Sequence, residues 1–504
     1  MNGRRTTVLQ VMTRWGLLSA ASALSVASCG GKALLDDEQG RGGMSSAHAG
    51  SAGLSSDGSY VSFGGALGIA GAPIAIGGSP PGGFAAGGAM STAGGVSNGS
   101  CQSDDECAPY RCAEHGCLNY CDDTSDCRNG FCQAGHCHEL AVSVSVGLYL
   151  SCAVLVHNGV RCWGANDVGQ LGHDGPSSTQ PVEVPGVQAS GVAVGERFAC
   201  ALGMTGSVEC WGLGTKGQLG HGANQTSSAP QNVVGLEEAP AAQLVAGQAH
   251  ACVLSTNGGV HCWGDNTRGQ LGNATRSSSP FPVTVALGGG LPVRQLVAGA
   301  RHNCVLLDDA SVRCWGAGQL GELGVPDLID GLVPVQVQGL PGAENPVVGL
   351  SAGGDHTCAI LADSRVVCWG ADTAGQLGDG VSQPYSTYPT PVLGLPVGGD
   401  PLVQFVAGDD ADCVSLGVSG RVRCLGGNQW GQLGDGTLTR SLDFVTALGF
   451  GPPPRVSVLA MGPEHVCATL TDGSIVCWGD NSAGELGSYT GDKFSAVATA
   501  VLGW

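Results

Sequence analysis

Fourteen cysteines in the last three quarters of the chain fall into seven pairs, and the second member of each pair sits in the same short phrase. The pairs are Cys152 with Cys162, Cys200 with Cys210, Cys252 with Cys262, Cys304 with Cys314, Cys358 with Cys368, Cys413 with Cys424 and Cys467 with Cys477. Six of the second cysteines are followed by Trp-Gly, and the remaining one reads Cys424-Leu425-Gly426. Six residues beyond the Trp or Leu, nearly every copy has Gly-Gln-Leu-Gly or Gly-Glu-Leu-Gly, as at 169–172, 269–272, 321–324, 375–378, 431–434 and 484–487. A phrase repeated at this interval is one supersecondary unit used seven times, which restricts the chain to an array or a closed ring of small units.

The last copy shows what the unit is. Residues Val466 to Gly479 hold two short β-prone runs around Asp472-Gly473, a strong hairpin signal. If Thr471-Asp472-Gly473 form a three-residue loop with Gly473 in the left-handed region, Cys467 faces Cys477 at a non-hydrogen-bonded site, where facing side chains approach most closely. The sixth copy is one residue longer between its cysteines, and the extra residue falls in the turn, Gly417-Val418-Ser419-Gly420. A four-residue loop restores the same facing pair, so the spacing follows cross-strand position. Each bridge closes a small loop, which the chain-entropy treatment credits with roughly 2–3 kcal/mol. Apolar runs before each hairpin (Gln243 to Gly247) and after each Gly-Gln-Leu-Gly turn (Pro334 to Val337) bring the expected number to four strands per copy. The predicted fold is all-β: a seven-bladed β-propeller over residues 141–504, preceded by a disordered linker and a small disulfide-rich module.

The phrases Gly353-Gly354-Asp355-His356-Thr357-Cys358 and Trp478-Gly479-Asp480-Asn481-Ser482-Ala483-Gly484-Glu485-Leu486-Gly487 resemble repeats of the regulator of chromosome condensation family. The resemblance covers about 142–504 and implies a seven-bladed propeller whose recurring Gly, Trp and His are structural. In the eukaryotic namesake the fold serves guanine-nucleotide exchange on a small GTPase. A similar propeller serves as a secreted bacterial inhibitor that grips a β-lactamase through loops on one face. Fold alone does not choose between such uses.

The segments before the repeats bear on location. Arg4, Arg5 and Arg14 precede a short apolar stretch that ends in Val26-Ala27-Ser28-Cys29, similar to the lipobox of bacterial lipoproteins. The expectation is a signal peptide at 1–28, lipidation of Cys29 and anchoring in the cell envelope, with Gly30 favouring the outer membrane. Residues 29–100 are rich in Gly, Ala and Ser and read as a disordered tether; about 70 such residues reach on the order of 45 Å. Residues 101–139 hold eight cysteines in two copies of Cys-x5-Cys-x4-Cys-x4-Cys. So short a module needs disulfides in place of a core, and their connectivity is not readable from spacing. An exported chain with an even, fully assigned cysteine set is read as disulfide-bonded, and the absence of any Cys-x2-Cys argues against zinc.

Composition narrows the function. Twenty-one basic against forty-one acidic residues give a formal charge of -20, which repels nucleic acid. His250, His302, His356 and His465 recur in one slot, two residues before the first cysteine of a pair, and are read as structural because the other copies carry Leu150, Phe198 and Ala411 there. No catalytic residue, cofactor or metal is expected. The informative positions are those where copies disagree. The two residues after the Gly that ends the first strand differ in every copy, and they supply Tyr149, Glu196, Arg197, Gln248, Arg301, Asp355, Asp409, Asp410 and Glu464 as a candidate binding rim. Trp430, before one Gly-Gln-Leu-Gly turn, joins them as a candidate anchor. The expected function is a monomeric, lipid-anchored scaffold for a protein partner of unknown identity. A polysaccharide-acting hydrolase or lyase is the alternative, and nucleotide exchange comes third.

Overall fold

The computed structural model describes residues 111–113, 116–118, 130–133 and 136–502, except 396, 452–455 and 489–490. The expected signal peptide, Cys29, the expected tether and most of the cysteine-rich module lie outside the described residues. Within the module, Arg111–Ala113 pairs with Gly116–Leu118 and Gly130–Gln133 with His136–Glu139, and these two hairpins place Cys112 opposite Cys117 and Cys132 opposite Cys137.

All other described strands fall into seven four-stranded antiparallel sheets, each from one contiguous stretch and ordered in space as in sequence: 141–183, 189–232, 241–284, 293–336, 347–391, 402–446 and 456–500. We call these blades 1 to 7. Their first strands are Ala141–Val146, Ala189–Val194, Ala241–Ala246, Val293–Ala298, Val347–Ala352, Leu402–Ala407 and Val456–Met461. Each first strand packs against the first strand of the next blade, and that of blade 7 packs against that of blade 1, so the array closes as a ring. The fourth strands alternate between half-buried and exposed positions and form the outer edge, as in Ser279–Thr284.

Within each blade the hairpin geometry is the one the spacing predicts. Cys467 faces Cys477 in register, Leu470 N donates to Ser474 O, and Gly473 has φ of 83°. The longer turn of blade 6 brings Cys413 opposite Cys424 with a Cα separation of 4.1 Å, the same as between Cys467 and Cys477. All seven expected bridges are present. In blades 1 to 5 they join Cys152 to Cys162, Cys200 to Cys210, Cys252 to Cys262, Cys304 to Cys314 and Cys358 to Cys368. Blades 6 and 7 have Cys413 joined to Cys424 and Cys467 joined to Cys477, and every one of these fourteen cysteines is fully buried.

The Trp-Gly phrase is explained by a bulge. In every blade the pairing of third and fourth strands slips between the cysteine and the glycine, as between Cys262 and Gly264. The glycine takes a positive φ, for example 104° at Gly264. The slip turns the intervening Trp onto the Gly-Gln-Leu-Gly turn of the preceding blade, where its indole N–H donates to the Gln or Glu carbonyl. Trp211 bonds Gln170 at 2.9 Å, Trp369 bonds Glu322 at 2.9 Å, and Trp163 of blade 1 bonds Glu485 of blade 7 at 2.8 Å. Leu425 fills the same buried place in blade 6 without a polar group to donate.

Closest to the axis stand seven glycines, one at the end of each first strand: Gly147, Gly195, Gly247, Gly299, Gly353, Gly408 and Gly462. A Cβ on any of them would lie within 2.8 Å of the carbonyl oxygen of the equivalent glycine in the next blade, and the series returns from Gly462 to Gly147. No side chain fits there, and the neighbouring oxygen is backbone that cannot swing aside. Gly353→Ala is expected to cost about 3 kcal/mol or more, or to prevent folding, while Gly342→Ala, with no atom within 4 Å of its added methyl, should stay within about 0.5 kcal/mol of the parent. Denaturant unfolding of the two variants checks this.

Candidate functional site

Two residues follow each axial glycine before the second strand begins, and the seven two-residue loops gather at one end of the ring. The first residue of each loop (Leu148, Glu196, Gln248, Ala300, Gly354, Asp409, Pro463) lines a cavity of about 90 Å³ at the mouth of the axis. Backbone bonds tie neighbouring loops together: Glu196 N donates to Gln248 O, Gln248 N to Ala300 O, Ala300 N to Gly354 O and Gly354 N to Gly408 O. The second residue of each loop lies farther out. Its carbonyl accepts from the amide two residues beyond the Trp or Leu position, as in Ala165 N to Tyr149 O and Gly427 N to Asp410 O, and the same bond recurs in all seven blades. A repeated backbone frame therefore carries side chains that do not repeat.

Among the sequence-predicted residues, Glu196, Gln248 and Asp409 line the mouth, while Tyr149, Arg197, Arg301, Asp355, Asp410 and Glu464 flank it. The turn residues and the loops belong to one face. Trp430 of blade 6 lies beside the Glu464 carboxyl of blade 7 and opposes the rise that burial imposes on it, Arg197 of blade 2 pairs with Asp167 of blade 1, and Gln376 Nε2 donates to Asp409 O at 3.4 Å. Charge is divided across this face. Blades 2 to 4 carry Arg197, Arg268 and Arg301 alongside Glu196; Arg268 lies 3.6 Å from Asp330, and Arg301 donates to Gln248 Oε1 at 3.0 Å. Blades 5 to 7 carry Asp355, Asp409, Asp410 and Glu464. Burial, followed by the charges of Asp355 and Asp410, pushes the Asp409 carboxyl up to about 7. Asp355 is also raised by burial, against the opposing pull of Arg301.

The recurring histidines lie beneath the mouth and are fully buried. His250 Nε2 lies 3.0 Å from Asn303 Oδ1, His302 Nε2 is 2.8 Å from Thr357 Oγ1, His356 Nε2 is 2.8 Å from Asp412 Oδ1, and His465 Nε2 is 2.7 Å from Ser151 Oγ. Each partner is the second residue of the second strand in the next blade. Where the histidine slot is apolar, so is the partner slot: Leu150 precedes Ala199, Phe198 precedes Ala251, and Ala411 precedes Val466. All seven junctions obey the rule, because an imidazole facing an apolar neighbour would leave a buried polar group unpaired. Burial drives the His302 and His465 pKa values down to about 3 and about 4, so both imidazoles are neutral. At His356 burial acts the same way, but the charge and hydrogen bond of Asp412, together with the charges of Asp409 and Asp410, outweigh it and raise the value.

His356, Cys358 and Asp412 come close enough to suggest a metal triad. The Cys358 sulfur is bonded to Cys368 and His356 Nε2 is bonded to Asp412, so the donor set describes an inter-blade bond instead. Sequence reasoning located the histidines and missed their partners, although the signal was present in the alternation of polar and apolar residues at positions 151, 199, 251, 303, 357, 412 and 466.

Such a ring, with bulge tryptophans reaching back to the preceding turn and a loop face at one end of the axis, defines a class of repeat propeller. Residues 92–410 match the RCC1-like domain and residues 456–485 match the regulator of chromosome condensation (RCC1) repeat; the chain belongs to this family. It is similar to the ultraviolet-B receptor UVR8 of Arabidopsis thaliana, 29% identical over 351 residues that make up 68% of this chain and 78% of that protein. It is also similar to the probable E3 ubiquitin-protein ligase HERC4 of Rattus norvegicus, 37% identical over 315 residues, 61% of this chain but 29% of that much longer protein. Of the solved structures, Prp20p from Saccharomyces cerevisiae superposes with a TM-score of 0.61 at 21% identity, covering 72% of this chain and 87% of that one. Human WBSCR16 superposes with a TM-score of 0.59 at 24% identity, covering 68% and 94%. At these identities the two structures share the fold.

The paired slots yield a double-mutant cycle. His356→Leu and Asp412→Ala should each destabilise by about 3 kcal/mol or more, since each strands a buried polar partner. Together they reproduce the Leu150 and Ala199 junction, so the double variant should be more stable than the sum of the single losses by about 1–3 kcal/mol, measured by denaturant unfolding.

Proposed function

We propose that this chain is an exported propeller, lipid-anchored through Cys29 on a Gly/Ala/Ser-rich tether, that holds a protein partner on its loop face. The observation that carries the binding half is the contrast between a backbone frame repeated seven times and side chains that change at each repeat. Structural residues recur here, as the glycines, tryptophans and disulfides do. The loop pairs do not, and they converge on one mouth with cationic and anionic arcs, a pattern suited to a single orientation of one asymmetric partner. Tyr149, Trp430 and the two flanking arginines have the character of interface anchors.

Support for export comes from the seven fully buried disulfides, since bonds of this kind form and persist in oxidising compartments. Related propellers give precedent for protein partners: the solved structures concern Prp20p binding to Gsp1p and histones, and yeast RCC1 bound to Kap60. The receptor and ligase activities of UVR8 and the HERC proteins belong to those proteins as wholes. For this chain we place recognition, and no catalysis, at the mouth.

Affinity capture from envelope extracts with the tether-free propeller is the test. Replacing Asp410 with Lys, or Arg301 with Glu, should leave thermal unfolding nearly unchanged and weaken capture of the specific partner at least about tenfold, with a reduced salt dependence. Turnover of an envelope glycan that disappears on a single-residue change would replace this reading with an enzymatic one.

A further inference from the structure

The junction that closes the ring contains a carboxyl pair where blade 3 has an amide. There the Gln270 side chain accepts from Arg268 N through Oε1 and donates through Nε2 to Asp265 Oδ2, both at 2.9 Å. Blade 7 has the same layout, with Asp480 in the place of Asp265 and Glu485 in the place of Gln270. Glu485 Oε2 accepts from Ala483 N at 2.8 Å, as the glutamine oxygen does, and Ser482 Oγ donates to Asp480 Oδ2 at 2.7 Å. The remaining oxygens, Glu485 Oε1 and Asp480 Oδ1, are buried without a donor from any described residue. Two acceptors stand where blade 3 has an N–H and an oxygen. A proton on one carboxyl supplies the missing hydrogen and lets Glu485 bond Asp480 as Gln270 bonds Asp265.

We propose that the Asp480–Glu485 pair is a proton-dependent clasp on the closing junction between blade 7 and blade 1. The carbonyl of Glu485 is itself the acceptor for that closure, taking the Trp163 indole N–H at 2.8 Å and the Ser151 hydroxyl at 2.9 Å. Ser151 in turn meets His465 Nε2, so the turn that holds the clasp also positions the polar contacts across the junction. The groups around it are Tyr149 from the loop of blade 1, and Glu464 and His465 from blade 7. His465 is a neutral imidazole, and none of the described salt bridges neutralises either carboxylate. Burial first, then the hydrogen bond to Asp480, raises Glu485 to about 8. The sign follows from linkage. A folded-state value above the ordinary 4.5 means the ring keeps this proton while the unfolded chain releases it. The contribution to stability is therefore full below about pH 4.5 and is lost as pH rises through about 8. Above that, two carboxylates repel in a buried site at the one junction whose blades are distant in sequence.

Glu485→Gln installs the amide that blade 3 carries and removes the need for the proton. Hydrogen exchange of the full chain at about pH 6 and about pH 9 reads the junction locally, with strand Ala141–Val146 at the seam and Ala241–Ala246, whose flanking turns carry Gln218 and Gln270, as an internal reference that experiences the same base catalysis. In the parent protein the seam should lose at least about tenfold protection relative to the reference on going to the higher pH, the effect of one pKa unit, and Glu485→Gln and Asp480→Asn should each abolish that loss. Equal loss in parent and variants would overturn the proposal. So would a seam whose protection in the parent at high pH depends on added calcium and is removed by a chelator, because the pair would then hold a cation and not a proton.

Discussion

Seven backbones meet at the axis closer than any side chain permits, and the rest of the propeller is arranged around that approach. With glycine at 147, 195, 247, 299, 353, 408 and 462, each carbonyl lies where the next blade's Cβ would be. The same glycines leave room for the ring of the residue three positions on: His250, His302 and His356 pack against Gly247, Gly299 and Gly353, and Phe198 packs against Gly195. Removing the Cβ thus does two things at once. It lets adjacent first strands approach, and it seats the side chain that spans the junction. Glycine is unfavourable within an ordinary strand, but at the ends of these strands the close approach outweighs that cost.

From the axis outward, each junction is built from parts contributed by both blades. The indole of one blade bonds the turn of the blade before it, and the imidazole of one blade meets a polar residue of the blade after it. Repeat proteins derive stability from intrinsic unit terms and nearest-neighbour interfaces. Here the unit term includes a buried disulfide, such as Cys200 to Cys210 or Cys304 to Cys314, and the interface term includes a matched pair of slots. The matching makes apolar residues tolerable at Leu150, Phe198 and Ala411, because their partner slots hold Ala199, Ala251 and Val466. A closed ring gives no blade a free end, so blade 1 and blade 7 obey the same rule across a separation of more than three hundred residues: Ser151 stands opposite His465. The segment that enters blade 1 extends this seam, with Ala141 N donating to Gly473 O at 3.1 Å.

Much of this was legible in the sequence because the repeat is its own alignment. Cysteine spacing located the hairpins, and the extra residue of Gly417 to Gly420 confirmed that cross-strand facing sets the spacing. The Trp-Gly phrase located a third strand but not its function, since a bulge that turns Trp263 onto Gln218 O depends on a neighbouring blade that no single copy contains. The same limit hid the histidine partners. His356 and Asp412 are 56 residues apart, and only closure of adjacent sheets brings them together. The varied loop pairs were recognisable as a ring from their position after the axial glycine. The division of that ring into an inner circle lining the cavity and an outer circle on its flank followed from backbone bonds such as Leu213 N to Arg197 O, which side-chain identity does not encode.

A frame held by backbone, disulfide and indole bonds leaves the exposed loop residues energetically almost free to vary, and buried positions free only within matched sets. Acidic residues have entered both kinds of place. At the mouth, Asp409 rests its carboxylate against Gly354, a position open to it only because blade 5 has no side chain there. Within the turns, Glu322 and Glu485 occupy the slot of a glutamine, and Asp372 occupies that of an asparagine. Asp372 accepts from Leu377 N at 3.1 Å, just as Asn266 accepts from Leu271 N and Asn428 from Leu433 N, both at 2.9 Å. An asparagine there also donates: Asn428 Nδ2 reaches the Thr437 and Thr439 carbonyls, both at 3.1 Å. Asp372 Oδ2 has no such bond, and burial raises its pKa to about 6. Replacing an amide by an acid keeps the acceptor and makes the donor conditional on a proton. The fold accepts this exchange at a few sites because the remaining bonds of each junction persist, and the exchange leaves the ring with proton-sensitive points on the side that carries its loops.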